Sequence, residues 1–352
     1  MSVQILMFDH LKDGQPIETI KLRNARGTEV SLLTLGATIQ SFVFENQDIV
    51  LGFDRANDYF SSGAYIGATV GRVCNRTADG CFELNGTTYH LQCNERDRRV
   101  HLHGGVVGFD KKVWSCTILN DGEEPSASFE ILSEDGDEGY PGNLRVRLIY
   151  TLQVDDTLVL DYTACTDADT PVNLTNHVYF NLNGCTGDTI HNHRLCVHAE
   201  EYTPVTERLV PTGEYAPVKG TCIDFRSFKN IGEALQGTDA CMAYTGGVDH
   251  NFVLAHDRRA LEEAAVAYSP DTGIRVTCCT DLPGLQVYTG NFLDEQGGKY
   301  GLVWGKHQGF CLETQCFANS VNESRFPSII LKKGDTFTSR TTYRIDRVGE
   351  DA

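Results

Sequence analysis

The sequence predicts an all-β protein, either a sandwich or a barrel. The first observation is a series of short segments in which apolar and polar residues alternate, as in strands that bury one face. The second is the turn dipeptides between these segments, among them Asn85-Gly86, Asp121-Gly122 and Asn183-Gly184. The third is a content of 34 glycines, which suits a chain with many tight turns. Many short strands at near-regular spacing are typical of these two architectures.

The clearest strand is predicted over Leu144–Leu152, where every second residue is a large apolar one. Similar runs predict strands over residues 30–44, 157–164, 194–199, 273–279, 286–291 and 338–348. Helices are predicted only over 228–236 and 257–267. The second of these segments also permits a strand over Glu262–Tyr268, which would lead into a turn at 269–273.

Composition and charge exclude several classes of partner. The 352 residues carry a net charge of −18, and a surface this negative repels phosphate backbones and anionic lipids. We therefore expect neither nucleic acid nor a membrane as a partner. No segment approaches the roughly 18 apolar residues of a membrane-spanning helix, and the N-terminus shows no signal-peptide pattern. We expect a soluble cytoplasmic protein, with residues 1–352 forming a single domain.

The 13 cysteines are numerous for a protein inside the cell, and their number is odd. None forms a Cys-x-x-Cys pair, and without a secretory signal we expect them to be reduced and mostly buried. Structural zinc sites usually need short paired spacings, so the sequence predicts no metal site. It also lacks a phosphate-binding loop and a nucleotide fingerprint, and we expect no cofactor.

His177 is the first candidate functional residue, because it lies within the apolar and amide-rich run 172–181. A strand through this run would place Asn173, Thr175 and His177 on one face and Leu174 on the other. An ionisable group is costly to bury unless it is partnered or used. The polar face is therefore a candidate wall of a ligand cavity. The alternative is a structural histidine whose hydrogen bonds are satisfied by its neighbours.

Glu313 is the second candidate, since it is a lone carboxylate in the strand-like run 309–315. Alternation places it on the same face as Cys311 and Gln315. Burial raises the pKa of a carboxyl group toward the operating pH, as a general base requires. The alternative is a glutamate that is held by a structural arginine.

Other segments contain residues that suit a polar ligand. Residues 100–105 contain His101 and His103 at a spacing that permits a metal pair, but no convincing third ligand accompanies them. The glycine pair that follows indicates close approach of the backbone. Segments 71–76 and 246–252 contain the Asn, Arg and Asp residues that commonly bind sugar hydroxyls. Residues 283–291 predict a strand with Gln286 on one face.

Taken together, these segments resemble the aldose 1-epimerase (galactose mutarotase) family. The matching stretches occur in the family order from about residue 20 to about residue 345. Two of them read Leu102-His103-Gly104-Gly105 and Asp137-Glu138-Gly139-Tyr140-Pro141-Gly142. The others are 35–38, 48–53, 71–76, 170–182, 247–252, 284–294, 309–315 and 322–327. Any single stretch would be weak, whereas ten in register are specific.

The resemblance implies a large antiparallel β-sandwich with few short helices, the galactose mutarotase-like supersandwich, whose concave face holds a sugar. It implies that His177 is the general acid and Glu313 the general base in the interconversion of α and β anomers of free aldohexoses such as galactose and glucose. It further implies sugar contacts from Asn75, Arg76, His103, Tyr179, Asp249 and Gln286. His101 lies where relatives do not need a histidine. We expect a monosaccharide substrate and a monomer or weak homodimer.

Only protons move in this reaction, so one acid, one base and a fixed ring are sufficient. Two other functions stay open: a glycoside hydrolase with Asp249 and Glu313 as paired carboxylates, and a non-catalytic sugar sensor. A hexose-6-phosphate epimerase would need a basic cluster, which the acidic balance disfavours. The main reading requires two distant segments to bring His177 and Glu313 to opposite sides of one pyranose.

Overall fold

The structure is a computed structural model and describes residues 2–257 and 260–349. Its strands are β1 (Val3–His10), β2 (Pro16–Arg23), β3 (Glu29–Leu33), β4 (Thr38–Phe44), β5 (Gln47–Asp48), β6 (Thr69–Val70), β7 (Arg76–Ala78), β8 (Cys81–Leu84), β9 (Thr87–His90), β10 (Val100–Leu102), β11 (Ser115–Asn120), β12 (Ser126–Ser133), β13 (Leu144–Leu152), β14 (Thr157–Thr166), β15 (Thr170–Pro171), β16 (Thr175–Asn176), β17 (Arg194–Val197), β18 (Glu201–Tyr202), β19 (Ala216–Pro217), β20 (Lys229–Asn230), β21 (Asp249–Val253), β22 (Glu262–Tyr268), β23 (Ile274–Thr280), β24 (Gly284–Tyr288), β25 (Asp294–Glu295), β26 (Trp304–Gly305), β27 (Cys311–Gln315), β28 (Ile330–Leu331) and β29 (Thr336–Arg347). The helices are α1 (Ala56–Ser61) and α2 (Ile231–Leu235), with short 3₁₀ turns at Arg96–Arg98, Phe109–Lys111, Asp137–Gly139, Ala240–Met242 and Lys299–Gly301.

Three large antiparallel sheets contain most of these strands. The first sheet has the order β1-β2-β3-β4-β5, and the largest has the order β11-β12-β13-β14-β29-β23-β22-β17-β20. The third sheet has the order β19-β18-β21-β24-β27. The long strand β29 lies at the middle of the nine-stranded sheet, between β14 and β23.

Alternation along each strand gives the sheets one apolar face. In β13 the residues Leu144, Val146 and Leu148 are buried, while Arg145 and Arg147 between them are exposed. These apolar faces meet in one buried cluster to which all three large sheets contribute. Sheets that share a core in this way form the layers of a β-sandwich.

The third sheet separates this core from an open face. Val287 on β24 and Leu312 on β27 belong to the buried cluster. The hydroxyl of Tyr343 on β29 donates a hydrogen bond to the Leu312 carbonyl oxygen at 2.8 Å, which links the third sheet to the nine-stranded one. Alternation turns Gln286 and Glu313, the neighbours of these apolar residues, toward the other face.

The predicted all-β class is confirmed, and most of the predicted strands are present. Leu144–Leu152 is β13, and the run 157–164 lies within β14. The run 30–44 is divided into β3 and β4, because the chain turns at Gly36 and Ala37, both with positive φ, before it reaches β4. Predicted strand ends differ by a few residues at 194–199, 273–279, 286–291 and 338–348.

The structure decides one open alternative and corrects one prediction. For 257–267 the sequence permitted a helix or a strand, and the strand is present: Glu262–Tyr268 is β22, paired with both β17 and β23, while residues 258 and 259 lie outside the described part. The run 172–181 is not one strand. It contains the two-residue strand β16 and isolated bridges at Asn173 and Phe180, so hydrophobic content here marks burial rather than regular pairing. The helix over 228–236 is present in part, as α2.

None of the helices in the described part of the chain has the length and apolar character to cross a membrane. All 13 cysteines lie among the described residues, and none of them forms a disulfide.

Candidate functional site

A cavity of about 460 Å³ opens on the free face of the third sheet. All eight residues selected from the sequence line it, namely His177, Glu313, Asn75, Arg76, His103, Tyr179, Asp249 and Gln286. Residues that the sequence reasoning missed also line it, chiefly Tyr65, Glu95, Arg98, Tyr288, Phe292 and Glu295. The structure therefore brings together eight predicted residues that are up to 238 positions apart in the sequence, from Asn75 to Glu313.

Three adjacent strands supply one wall of the cavity. Glu313 on β27 lies opposite Gln286 on β24, and Gln286 lies opposite Asn251 on β21. Asp249 precedes Asn251 by two residues, so it lies on the same face of the sheet. Directly opposed residues in an antiparallel pair have their side chains about 5 Å apart, which explains why these polar groups converge.

Two backbone-linked segments supply part of the opposite wall. Strands β7 and β10 pair with Arg76 opposite Leu102, which places Asn75 beside His103. The His103 amide donates to the Asn75 carbonyl oxygen at 3.1 Å, and the Asn75 amide donates to Nδ1 of His103 at 3.2 Å. A side chain at Gly104 would lie 1.8 Å from the carbonyl oxygen of Gly71, so the close approach predicted for the glycine pair is present.

The same bond at Nδ1 determines how His103 faces the cavity. Burial lowers the pKa of His103 well below its usual range, and the nearby His177 and Arg76 lower it further. The imidazole is therefore neutral at pH 7. Because Nδ1 accepts the Asn75 amide, the single ring proton lies on Nε2, which makes His103 a hydrogen-bond donor.

This tautomer bears on metal binding as well. His103, His177 and Glu313 place ligand atoms within 4.8 Å of one another, a set that matches metal-binding chemistry. A metal ligand must offer a lone pair, whereas Nε2 of His103 bears the proton and Nδ1 is already occupied. The donor set therefore fits a polar organic ligand better than a metal ion. His101 does not line the cavity, and its Nδ1 contacts the Gln92 carbonyl oxygen at 2.8 Å.

His177 and Glu313 are in direct proximity. Nε2 of His177 lies 3.7 Å from Oε2 of Glu313, and both side chains are almost fully buried. Oε2 of Glu313 has no hydrogen-bond partner in the part of the chain that the structure describes. The expectation that the two groups stand on opposite sides of a ring is thus replaced by a closer arrangement, in which they meet at one edge of the cavity.

Burial shifts the pKa values of the two groups in opposite directions. Burial raises the pKa of Glu313 well above 4.5, the charge of Asp249 raises it further, and Arg76 opposes the shift. Burial lowers the pKa of His177 to about 4. Both shifts favour the uncharged form of the group, as low-dielectric surroundings do. Each group is therefore held toward its uncharged form, in which the pair carries one exchangeable proton, on Glu313.

Arg76, Arg98, Glu95 and Asp249, which also line the cavity, are paired with one another. Nε of Arg76 donates to Oε2 of Glu95 at 2.8 Å, and Nη1 of Arg76 lies 3.9 Å from Oδ2 of Asp249. Nε2 of Gln286 donates to Oδ1 of Asp249 at 2.6 Å. We call Arg76, Glu95, Asp249 and Gln286 the Arg76 network. Burial alone would lower the pKa of Arg76, but the carboxylates of Asp249 and Glu95 outweigh it and raise that pKa.

Aromatic rings enclose the two histidines. The ring of Tyr65 lies 4.6 Å from that of His103, and the ring of Tyr179 lies 5.0 Å from that of His177. The Tyr179 hydroxyl donates to the Ala64 carbonyl oxygen at 3.0 Å. Its ring therefore packs beside the His177 imidazole while its hydroxyl is bound to the backbone. Tyr288 lies on β24 two residues after Gln286, and alternation would have identified it from the sequence.

Comparison with known proteins gives a consistent result. The family model described as aldose 1-epimerase matches residues 18–344. Galactose mutarotase of Homo sapiens is 41% identical over 350 residues, covering 97% of this chain and 98% of that protein. Aldose 1-epimerase of Escherichia coli (strain K12) is 35% identical over 339 residues, covering 94% and 96%.

Solved structures agree with this match. The crystal structure of galactose 1-epimerase from Lactobacillus acidophilus NCFM has a TM-score of 0.86 at 29% identity and covers 98% of each chain. A GalM/aldose epimerase homologue from C. elegans has a TM-score of 0.85 at 30% identity, covering 94% of this chain and 99% of that one.

Proposed function

The chain belongs to the aldose 1-epimerase family, and from that premise we propose that it interconverts the α and β anomers of free aldohexoses by proton transfers through His177 and Glu313. The observation that carries this proposal is the His177–Glu313 contact of 3.7 Å inside a buried cavity. The hydroxyl oxygen O1 and the ring oxygen O5 of a pyranose are attached to the same carbon. An acid and a base that serve both oxygens must therefore be neighbours.

The first step opens the ring. The proton of the resting pair first moves from Glu313 to Nε2 of His177. The Glu313 carboxylate then accepts the proton of the O1 hydroxyl while Nε2 of His177 gives its proton to O5. The C1–O5 bond breaks and C1 becomes an aldehyde. The proton of the pair is then on Glu313, and both groups are uncharged. Burial favours this arrangement, so the site stabilises the pair in the form that accompanies the open-chain sugar.

The second step closes the ring on the other face. Rotation about the C1–C2 bond turns the aldehyde over, and the O5 hydroxyl attacks C1. His177 takes the proton of O5 and Glu313 returns its proton to O1, which restores the starting pair. Each positioned acid or base contributes about 10²–10⁴-fold to the rate of such a step.

We propose that the Arg76 network and His103 hold the sugar. The carboxylate of Asp249 and the amide of Gln286 offer an acceptor and a donor side by side. Nε2 of His103 offers a further donor. Paired and neutral groups keep their protonation state through the reaction, which suits binding rather than proton transfer.

The cavity gives less support to the competing functions. A glycoside hydrolase would need Asp249 as a second reacting carboxylate, but both of its oxygens are engaged by Arg76 and Gln286. A phosphosugar substrate would need an uncompensated cation. The two arginines among the described lining residues, Arg76 and Arg98, both contact Glu95. A sugar sensor would have no use for the proton of the His177–Glu313 pair.

The environment of the protein is also part of the proposal. We propose a cytoplasmic protein that acts as a single domain, either as a monomer or as a weak homodimer. The absence of disulfides among the 13 described cysteines supports a reducing compartment, and the buried cluster common to three sheets supports a single domain.

The direct test is polarimetry of freshly dissolved α-D-galactose and α-D-glucose. We expect the protein to accelerate the approach to the equilibrium rotation in proportion to its concentration. A nitrophenyl galactoside serves as the control substrate, since its locked anomeric centre cannot open. Release of nitrophenol without acceleration of the free sugar would identify a hydrolase, and binding of galactose without acceleration would identify a sensor.

A further inference from the structure

A second cluster of ligand atoms lies outside the sugar cavity. The sulfur atoms of Cys222 and Cys241 are 3.8 Å apart, and a carboxylate oxygen of Asp239 lies with both of them inside a group in which all separations are within 4.8 Å. None of these residues lines the cavity of the His177–Glu313 pair. The aldose 1-epimerase chemistry described above makes no use of them.

We propose that Cys222, Cys241 and Asp239 form a binding site for a soft divalent cation, with Zn²⁺ as the best chemical match. Two thiolates and a carboxylate are ligands that zinc prefers. With a Zn–S distance of about 2.3 Å and a tetrahedral angle, two sulfur ligands lie about 3.8 Å apart. The two thiols already stand at this separation. A disulfide would need them to close to about 2.05 Å.

Hydrogen bonds to the backbone hold the two cysteines in place. Nζ of Lys229 donates to the Cys222 carbonyl oxygen at 2.7 Å. Nε2 of His250 lies 2.9 Å from the Cys241 carbonyl oxygen, while Nδ1 of His250 accepts the Asp249 amide, so Nε2 is the donor. His250 is fully buried on β21. The cation would thus link the turn at Cys222 to the 3₁₀ turn Ala240–Met242, beside the buried imidazole of His250.

The third ligand can adjust to a cation. Asp239 is exposed, and one of its oxygens accepts the Cys222 amide, which keeps the carboxylate beside the sulfur atoms. Cys222 is buried and Cys241 is half-buried, so the site is reached from solvent on the side of Asp239. A water molecule would complete the tetrahedron there. The Lys229 ammonium group offsets part of the negative charge of three anionic ligands.

The spacing of the two cysteines explains why sequence reasoning predicted no metal site. Zinc-binding motifs are recognised by pairs two to four residues apart, whereas Cys222 and Cys241 are 19 positions apart. Burial raises the pKa of both thiols, so the metal-free pair consists of two thiols that hydrogen-bond to each other. A bound divalent cation deprotonates thiols that coordinate it.

The test is a titration of the reduced, metal-free full-length protein with Cd²⁺, followed by competition with Zn²⁺. Thiolate-to-cadmium charge-transfer absorption reports sulfur ligands and is silent for a metal ion at His103, His177 and Glu313. We expect one equivalent of Cd²⁺ to saturate this absorption and Zn²⁺ to displace it. Zn²⁺ should also raise the melting temperature, because the three ligands are brought together in the folded state.

Variants assign the signal to the site. We expect Cys241→Ser and Asp239→Asn to weaken binding by more than about tenfold, with the sugar activity unchanged. Cys165→Ser is the matched control, because Cys165 is exposed on β14 and outside this cluster. If Cys222→Ser fails to fold, the other two variants still decide. A wild-type protein without the absorption, or variants that retain it in full, would overturn the proposal.

Discussion

The cavity contains two groups of ionisable residues, the Arg76 network and the His177–Glu313 pair, and their surroundings differ. In the Arg76 network every charge has a partner: Arg76 contacts Glu95 and Asp249, and Asp249 also accepts from Gln286. In the His177–Glu313 pair the atoms stand 3.7 Å apart, beyond hydrogen-bond distance, and Oε2 of Glu313 has no partner among the described residues. Arg76, Asp249 and Gln286 are buried, as are His177 and Glu313, whereas Glu95 is half-buried.

The difference separates binding from chemistry in physical terms. Opposite charges in contact stabilise each other's ionised form, so Arg76 and Glu95 of the Arg76 network remain charged over a wide pH range. Buried groups without such partners have pKa values displaced toward their neutral forms, so they can exchange a proton with a substrate without leaving a net charge in the core. We infer that the Arg76 network holds the substrate and that the His177–Glu313 pair changes its protonation state during the reaction.

Removal of either member of the His177–Glu313 pair should have the largest effect. We expect Glu313→Gln and His177→Asn each to lower kcat by about 10²–10⁴-fold with little change in KM, because proton transfer is lost and the sugar contacts remain. Polarimetry with α-D-galactose gives both constants. Glu83→Gln and His90→Asn are the controls, since both positions are exposed on the β8–β9 hairpin. Near-normal kcat in either active-site variant would remove that residue from the mechanism.

A change in the Arg76 network should act mainly on sugar binding. We expect Asp249→Asn to raise KM by about 10–100-fold, the equivalent of a lost charged hydrogen bond of about 1.5–3 kcal/mol. Its effect on kcat should be smaller. The exposed Asp335→Asn is the control. The pKa of Glu313 should also fall, because the charge of Asp249 helps to raise it. A loss confined to kcat would contradict the assignment of binding to the Arg76 network and of proton transfer to the His177–Glu313 pair.

The pH dependence of kcat/KM should follow the proton count of the pair. As the pH falls through about 4, the His177 imidazole becomes protonated. The pair then carries two protons, and neither group can act as the base. As the pH rises through the raised pKa of Glu313, the pair loses its last proton and no acid is left. We expect a bell-shaped profile with about tenfold loss per pH unit on each side. An alkaline limb near 4.5 would show that the pKa of Glu313 is not raised.

A smaller effect is expected at Cys311, whose sulfur lies 3.5 Å from Nδ1 of His177. Burial raises the pKa of this thiol, so it stays uncharged and makes only a weak hydrogen bond. We expect Cys311→Ala to lower kcat a few-fold by loosening the ring, and Cys311→Ser to restore most of it. The pH profile distinguishes a catalytic thiol from a supporting one, since a catalytic thiol would add a limb that Cys311→Ala removes.

The sequence was sufficient for most of the strands, but not for the mutual arrangement of the candidate site residues. Period-two alternation identified β13 directly, because one face of that strand is exposed. It failed at 172–181, where every residue is buried, the polar ones included. Glu95 gave no signal, because the charged stretch around it resembles a solvated loop until Arg76 is placed beside it.

The distance between His177 and Glu313 was likewise outside the reach of the sequence. The two residues lie in runs joined by an antiparallel bridge between Phe180 and Phe310, three residues after His177 and three residues before Glu313. Alternation within either run does not reveal this long-range pairing. The same reason hid the Cys222–Cys241 contact, which depends on the fold of two loops.

The position of the proton in the resting pair can be measured by NMR of the full-length protein, with isotope labels on the histidine rings and glutamate carboxyl carbons. Spectra of His177→Asn and Glu313→Gln assign the two signals. At pH 7 the account predicts a neutral His177 imidazole beside a protonated Glu313 carboxyl group. A histidinium beside a protonated carboxyl group, or a neutral imidazole beside a carboxylate, would give the pair two protons or none and would contradict the account.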